Sequence, residues 1–347
     1  MVFNQYDLLL CAHRIKIKII MNTIQFIEFD RFELCSGKPI NLRLSYQIFG
    51  NPSKDVPMVL VNHALTGNSE IIGPNGWWNS IVGKNNVIDT NVYAVIVFNC
   101  PGNGFGDIGE SFVEAYKTFS ARDVARLFVE GLSRLNITHL HAIIGASLGG
   151  GITWEMAALR PNLADYVVPI AADWKSTDWV IANCFVQDEI LNNSTQPIKD
   201  ARLHAMTFYR TPESFALKFN RTKRQPNLYN IESWLQHHGH RLESRFKLSA
   251  YKMMNHLLKT IDITEGKTDF ETVVKPITAH IHIITINSDL LFRSSENWNT
   301  FITLKSIKEH VTIGEIKSVD GHDAFLIESQ QLSKLLKPVF NLKKQNK

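Results

Sequence analysis

The sequence predicts an α/β fold, a mostly parallel sheet flanked by helices and interrupted by an inserted helical segment. Three observations predict it. Short, nearly continuous apolar runs at residues 58–61, 93–98 and 141–144 each end in polar or glycine-rich residues, as strands buried on both faces do. A helical stretch at 120–135 lies between the second and third runs and completes a strand–helix–strand unit. Between Lys175 and Pro276 strand-like runs are scarce and helical ones frequent, and strand-like runs resume afterwards.

In chain order, IEFDRFEL and INLRLSYQIFG alternate apolar and polar residues around Ser36-Gly37-Lys38-Pro39, the pattern of an antiparallel hairpin. The three buried runs follow. In 120–135, Val124, Leu127, Phe128, Leu132 and Leu135 fall on one helical face, with Ser120 as N-cap. Helices are expected at 179–191, 201–209, 212–219, 231–237 and 250–260, then strands at 279–287 and 313–319 and a helix over 324–336. The expected organisation is an extension at 1–21, a first core part at 22–174, a helical lid at 175–276 and a second core part at 277–347. Residues 8–12 are apolar but have no basic segment before them and no small-residue cleavage site after them, so no signal peptide is expected. Met21 is an alternative start.

Composition narrows the class. With 347 residues, 44% hydrophobic and 20% charged, the chain can bury a large core and is neither disordered nor low-complexity. A net charge of +4 does not point to nucleic acid, and no apolar stretch approaches a membrane-spanning length. Cys11, Cys35, Cys100 and Cys184 lie far apart with no Cys-x-x-Cys pair, which favours a reducing cytoplasm and gives neither a disulfide framework nor a metal cage.

The strongest chemical signal is Gly145-Ala146-Ser147-Leu148-Gly149, a Gly-x-Ser-x-Gly between a buried strand and a helix. A strand-to-helix turn this sharp presents the serine hydroxyl at a helix N-terminus. A serine needs a base, and the base an orienting acid, in the order Ser…Asp…His along such a fold. Asp289 follows the strand ending in Ile-Asn, and His322 follows the next strand, so strand ends deliver Ser147, Asp289 and His322 to one edge. Asp320 and Asp323 are rival acids, but their closeness in sequence to His322 makes a bond to its Nδ1 hard to build. An oxyanion hole is expected from the N–H of Leu148 and a second N–H, of Leu65 or Ala64, in Asn62-His63-Ala64-Leu65-Thr66-Gly67. His63 is expected to shape that loop rather than act as the base, and Trp77-Trp78 to pack rather than stack on adenine.

Several phrases together resemble the homoserine O-acetyltransferase family: NHALTGNSE, GWWNSIVGKNNVIDTNVYAVIVFN, GASLGG, ARLHAMTFYRTPESFALKFNR, ESWLQHHGHRLESRFKLSAY and NSDLLF…GHDAFLIE, over Phe26 to Glu328. The resemblance implies an α/β-hydrolase fold with a helical lid, a homodimer associating through that lid, and transfer of acetyl from acetyl-CoA, a co-substrate rather than a bound cofactor, to the hydroxyl of L-homoserine in methionine biosynthesis. It assigns the catalytic triad to Ser147, Asp289 and His322. Homoserine binding falls on Arg202 and Tyr209, seven residues apart, and on Asp323. A guanidinium suits the acceptor carboxylate and a carboxylate its ammonium.

The chain departs from the family pattern in places. NCPGNGFGDIGES stands where the family has a glycine-serine-threonine stretch, Gly151-Ile152 where it has Met-Gln, Asp188 where a first-lid-helix arginine is expected, and Lys247 where the lid's Arg-Phe-Asp has its aspartate. Alternatives are hydrolysis by a serine esterase of the same fold, succinyl in place of acetyl, and serine in place of homoserine. Lys218, Arg221, Lys223, Arg224, Arg241 and Arg245 are either a solvated face or a steering surface for coenzyme A phosphates.

Overall fold

A computed structural model of the chain describes residues 22–53, 55–106, 116–265 and 269–341. The apolar run at 8–12, Cys11, Met21 and the second half of the 99–111 departure lie outside the described residues.

The hairpin forms from β1 (Gln25–Glu33) and β2 (Pro39–Phe49), with the register shifting between Phe29 and Phe32. Then come β3 (Met58–Asn62), a small parallel pair of β4 (Val82–Gly83) and β5 (Ile88–Asp89), and β6 (Ala94–Phe98). The helix α1 (Ala121–Arg134) starts where its cap signal lies: Ser120 Oγ accepts from Asp123 N at 3.2 Å and Asp123 Oδ2 accepts from Ser120 N at 2.9 Å. The other oxygen of Asp123 accepts from Cys35 N at 2.6 Å and ties the hairpin to this helix.

Next are β7 (Leu140–Ala146), α2 (Leu148–Leu159) and β8 (Ala164–Ile170). The insertion follows: α3 (Asp178–Asn193), α4 (Pro197–Tyr209), α5 (Pro212–Phe219), a small hairpin of β9 (Lys223–Gln225) and β10 (Leu228–Tyr229), α6 (Asn230–Glu243) and α7 (Leu248–Lys259). After α8 (Phe270–Val274) the sheet resumes with β11 (His280–Ile286), α9 (Ser294–Ile307), β12 (Val311–Ile316), α10 (Ala324–Ile327) and α11 (Ser329–Leu336).

The eight-stranded sheet runs β1-β2-β6-β3-β7-β8-β11-β12, antiparallel through β1, β2 and β6 and parallel from β6 onward. Its central strands bury both faces, which is why they read as unbroken apolar runs. Leu60, Ile96, Phe98 and Ile143 join the layer holding α1 and the inserted helices, while Val59, Val61, Val95, Val97 and Ile144 join the opposite layer with Trp78, Ile81 and Ile88. Trp78 is core and Trp77 stacks on it, its Nε1 donating to Asn68 O at 2.8 Å. Among the described residues no helix is long and apolar enough to cross a membrane, and Cys35, Cys100 and Cys184 are free.

The sequence reading did not expect β4, β5, α8 or the β9–β10 hairpin, and three larger elements also differ from it. β8 was not expected, and its Pro169 is unusual for a central strand. The sheet accommodates it: pairing with β11 skips from Val167 to Ile170, and Ala171 N then donates to Ile284 O at 2.8 Å. The helix α9 was also unexpected in a run rich in Ser, Thr and Asn. The continuous helix over 324–336 is instead two helices broken at Glu328, whose φ of −87° and ψ of 49° leave the helical range.

Candidate active site

The Gly-x-Ser-x-Gly turn joins β7 to α2, and Ser147 takes φ 58° and ψ −126°, strained for a residue with a side chain. The strain is held by backbone bonds, Ser147 N to Ile170 O and Gly150 N to Ser147 O, each 2.9 Å. Glycine is required on either side. A Cβ on Gly145 would lie 2.3 Å from Gly149 O, and one on Gly149 would lie 2.2 Å from Asn62 O. The serine turn is therefore pressed against the end of β3, where the HALTG loop begins.

Ser147, Asp289 and His322 meet as the sequence reading expects. His322 Nε2 is 2.9 Å from Ser147 Oγ, and His322 Nδ1 is 2.7 Å from Asp289 Oδ2. Asp289 Oδ1 accepts from the N–H groups of Leu291, at 2.7 Å, and Phe292, at 2.9 Å, so the carboxylate is oriented from both ends. All three side chains are buried. Burial works against a charge on His322, but the charge and hydrogen bond of Asp289, with Asp323 adding to them, hold its pKa above the ordinary imidazole value. This geometry suits a base that takes a proton from the serine and keeps it briefly. The rival Asp320 is engaged elsewhere, accepting from Arg210 and from Ser214 Oγ.

The loop after β3 is built from buried polar groups. His63 Nε2 accepts from Cys100 N at 3.0 Å, which leaves Nδ1 to donate to Ala64 O at 2.8 Å. Burial lowers its pKa to about 4, so it is a neutral brace for the loop. Ser69 N donates to Asn99 Oδ1 at 2.7 Å and Ser69 Oγ to Gln47 Oε1 at 2.6 Å, while Asn62 Nδ2 donates to Thr153 Oγ1 in α2 at 3.0 Å. From the connection between α6 and α7, Arg245 Nη1 donates to Thr66 O at 3.1 Å. Leu65 is buried in this loop, and Leu148 is the first residue of α2, whose N-terminal N–H groups point out of the helix. Leu65 lines a small cavity of about 10 Å³ with Tyr209, Gln187, Tyr251 and Leu291, room for one water-sized group.

Arg202 and Tyr209 lie on α4 above the triad. The Arg202 guanidinium is 5.3 Å from the Tyr209 ring centroid, and the Tyr209 ring is 5.5 Å from that of His322. Asp323 follows His322 in a turn of 3-10 helix, and no ion pair joins it to Arg202 among the described residues. Burial raises the Asp323 pKa, with Arg202, His322 and Arg210 working against that rise. Burial and the nearby Arg202, His237, Arg241 and Lys218 push His238 down to about 4. Arg202 and Arg210 thus set positive charge against the Asp323 carboxyl next to His322.

Sequence reasoning missed two residues here. Asp188 turns away to accept from Tyr116 Oη at 2.8 Å and pair with Lys117 at 3.0 Å, whereas its neighbour Gln187 lines the cavity beside Tyr209. The helical period of α3 carried that signal, since Val180, Asn183, Cys184, Gln187 and Leu191 form its buried face. Arg210 reads in sequence as a surface charge ending a helix, yet it is buried against the His322 loop.

Known proteins resemble this arrangement at two levels. The profile of the alpha/beta hydrolase fold family matches residues 57–259. A homoserine O-acetyltransferase of Chlorobium chlorochromatii (strain CaD3) is 26% identical over 361 aligned positions, covering 96% of this chain and 99% of that protein. Among solved structures, homoserine O-acetyltransferase from Bacillus anthracis superposes with a TM-score of 0.83 at 19% identity, covering 92% of this chain and 98% of that one. Esterase E22 superposes with a TM-score of 0.82 at 16% identity, covering 92% and 99%. At these identities the structural likenesses show the fold alone.

Proposed function

Because the chain belongs to the α/β-hydrolase superfamily and, within it, to the homoserine O-acetyltransferase family, whose chemistry is acyl transfer, we propose that it moves acetyl from acetyl-CoA to the hydroxyl of L-homoserine through an acetyl ester on Ser147. The observation that carries this reading is the hydrogen-bond chain from Ser147 Oγ through His322 to Asp289.

His322 Nε2 takes the Ser147 proton as Oγ attacks the thioester carbonyl carbon. The N–H groups of Leu148 and Leu65 hold the oxyanion, each donor worth about 3 kcal/mol in the transition state. Collapse breaks the carbon–sulfur bond, and the proton on His322 leaves with the CoA thiol. Homoserine then enters with its carboxylate on Arg202 and its ammonium on Asp323, against Tyr209. Its hydroxyl gives a proton to His322 and attacks the ester; the returning proton restores Ser147. The segment 175–276 is the lid that keeps water from this ester, and homoserine wins by orientation. The lid is also where we expect two chains to associate.

Rapid-quench mixing with acetyl-CoA alone should release about one CoA per site and leave acetyl on Ser147. Adding homoserine, serine or water to that adduct separates transferase from esterase and names the acceptor, while succinyl-CoA in the first step names the donor. Acetyl found on another residue, or no adduct at all, overturns the two-step route.

A further inference from the structure

The strand preceding His322 ends at Ile316, so sheet pairing fixes only the base of the loop that carries this histidine. Part of the loop is held from the sheet side, by Ser318 N on Asn287 Oδ1 at 2.8 Å and Gly321 N on Ser288 Oγ at 3.1 Å. The rest is held from the inserted helices. Asp320 Oδ1 accepts from Arg210 Nη2 and from Ser214 Oγ, the latter at 2.7 Å. Arg210 Nε and Nη2 also donate to Ser214 Oγ, at 3.2 and 2.7 Å, and Thr211 Oγ1 donates to Val319 O at 2.5 Å. The contact is backbone to backbone as well: a Cβ on Gly321, at φ +67°, would lie 2.8 Å from Tyr209 O.

From this we infer that Arg210 is a positioning residue, a clasp that with Asp320, Ser214 and Thr211 fastens the α4–α5 junction to the His322 loop and so keeps Nε2 on Ser147. Three features make it more than a surface ion pair. Arg210 is 9% exposed, and Asp320 is the carboxylate it pairs with among the described residues, so removing Asp320 strands a buried guanidinium. Its guanidinium lies 5.9 Å from the Trp234 ring centroid, which links the clasp to α6. The residue before it, Tyr209, packs on His322, and Arg202 lies two turns earlier on the same helix, so one fastening sets both the base and the groups proposed to grip the acceptor. Loosening it slows formation of the acyl-serine as well as its transfer, whereas losing Arg202 touches only the transfer.

The inference rests on the reading that Ser147 is acylated with His322 as its base, and the test needs neither coenzyme A nor homoserine. Acylation of Ser147 by p-nitrophenyl acetate is followed as a burst in the full chain, with thermal unfolding measured alongside. Asp320→Ala and Arg210→Met should each slow the burst by about tenfold to a hundredfold, the scale of a small misplacement of a reacting group. The double variant should be no slower than the slower single one, and Arg210→Lys should keep most of the rate. Asp289, Asp323 and Tyr209 face His322 in the folded protein. A loop that drifts from Asp289 should therefore also move the acidic limb of the burst toward the ordinary imidazole value, a change that general loss of stability does not produce. Ser214→Ala removes the hydroxyl that bridges Arg210 and Asp320, leaves the ion pair, and should slow the burst by about threefold even if the charge variants do not fold. A folded Asp320→Ala or Ser214→Ala protein with the parent's burst and pH profile overturns the clasp while leaving the acyl-serine intact. A parent protein that forms no acyl-Ser147 overturns the reading of the site, and the clasp with it.

Discussion

Both oxygens of Asp289 are engaged: one takes two backbone N–H groups and the other takes His322. Asp289→Asn should therefore fold normally but present an amide N–H or a wrong tautomer to Nδ1, lowering kcat by about 10⁴. Circular dichroism and steady-state transfer kinetics check this together. Asp320→Asn should be mild by comparison, because an amide oxygen still accepts from Ser214 and Arg210. The role proposed for Arg202 is narrower. This arginine faces Tyr209 and exerts its charge on Asp323 without pairing to it, as a holder of a zwitterion would. Arg202→Ala should leave the CoA burst unchanged, raise KM for homoserine and cut transfer about a hundredfold, the worth of a lost charge-assisted pair of about 3 kcal/mol. Hydrolysis would then take a larger share of the acetyl, which product analysis by mass spectrometry reads directly. Unchanged homoserine kinetics in that variant would mean that the acceptor is held elsewhere.

The serine turn and the end of β3 form one unit, because the Gly149 backbone touches Asn62. Gly149→Ala should force the two apart, cost about 1–3 kcal/mol in urea unfolding and slow acylation by moving the Leu148 N–H off the oxyanion. Normal acylation in a destabilised Gly149→Ala would mean that this N–H is not a donor. The same unit explains what was legible beforehand. Gly-x-Ser-x-Gly, the buried runs around it and the Ser120 cap are local signals, each fixed by a few neighbouring residues. The Ser147–His322–Asp289 geometry was legible because strand ends bring distant residues to one edge. What was not legible depended on partners far along the chain. β8 exists because strands on both sides pair with it around Pro169, and the break at Glu328 is not encoded by a proline or glycine there. Arg210 became visible only when α4 and α5 were docked on the His322 loop, and Gln187 only when the face of α3 was known.

Two buried groups pull the pH dependence of the molecule's stability in opposite directions. His63 titrates near 6.5 when unfolded and at about 4 when folded, because burial disfavours its charge. Between those values the unfolded chain binds more protons, so its contribution is complete above pH 6.5 and is lost as pH falls, by about 3 kcal/mol at pH 4. Glu155 lies under α1, where burial outweighs the attraction of Arg122, at 2.9 Å, and raises its pKa from 4.5 to about 7. There the folded chain binds more protons, so the contribution of Glu155 is present below pH 4.5 and fades as pH rises to about 7. The sum is a dome, with His63 shaping its acid side and Glu155 its neutral side. Urea unfolding from pH 4 to pH 8 on the parent, His63→Gln and Glu155→Gln reads each arm separately, whatever the variants do to absolute stability. His63→Gln should flatten the acid arm, leaving Glu155 to favour low pH, and Glu155→Gln should steepen the net fall toward acid. Three parallel curves would show that neither group changes its proton occupancy on folding, and that the brace under the HALTG loop is indifferent to charge.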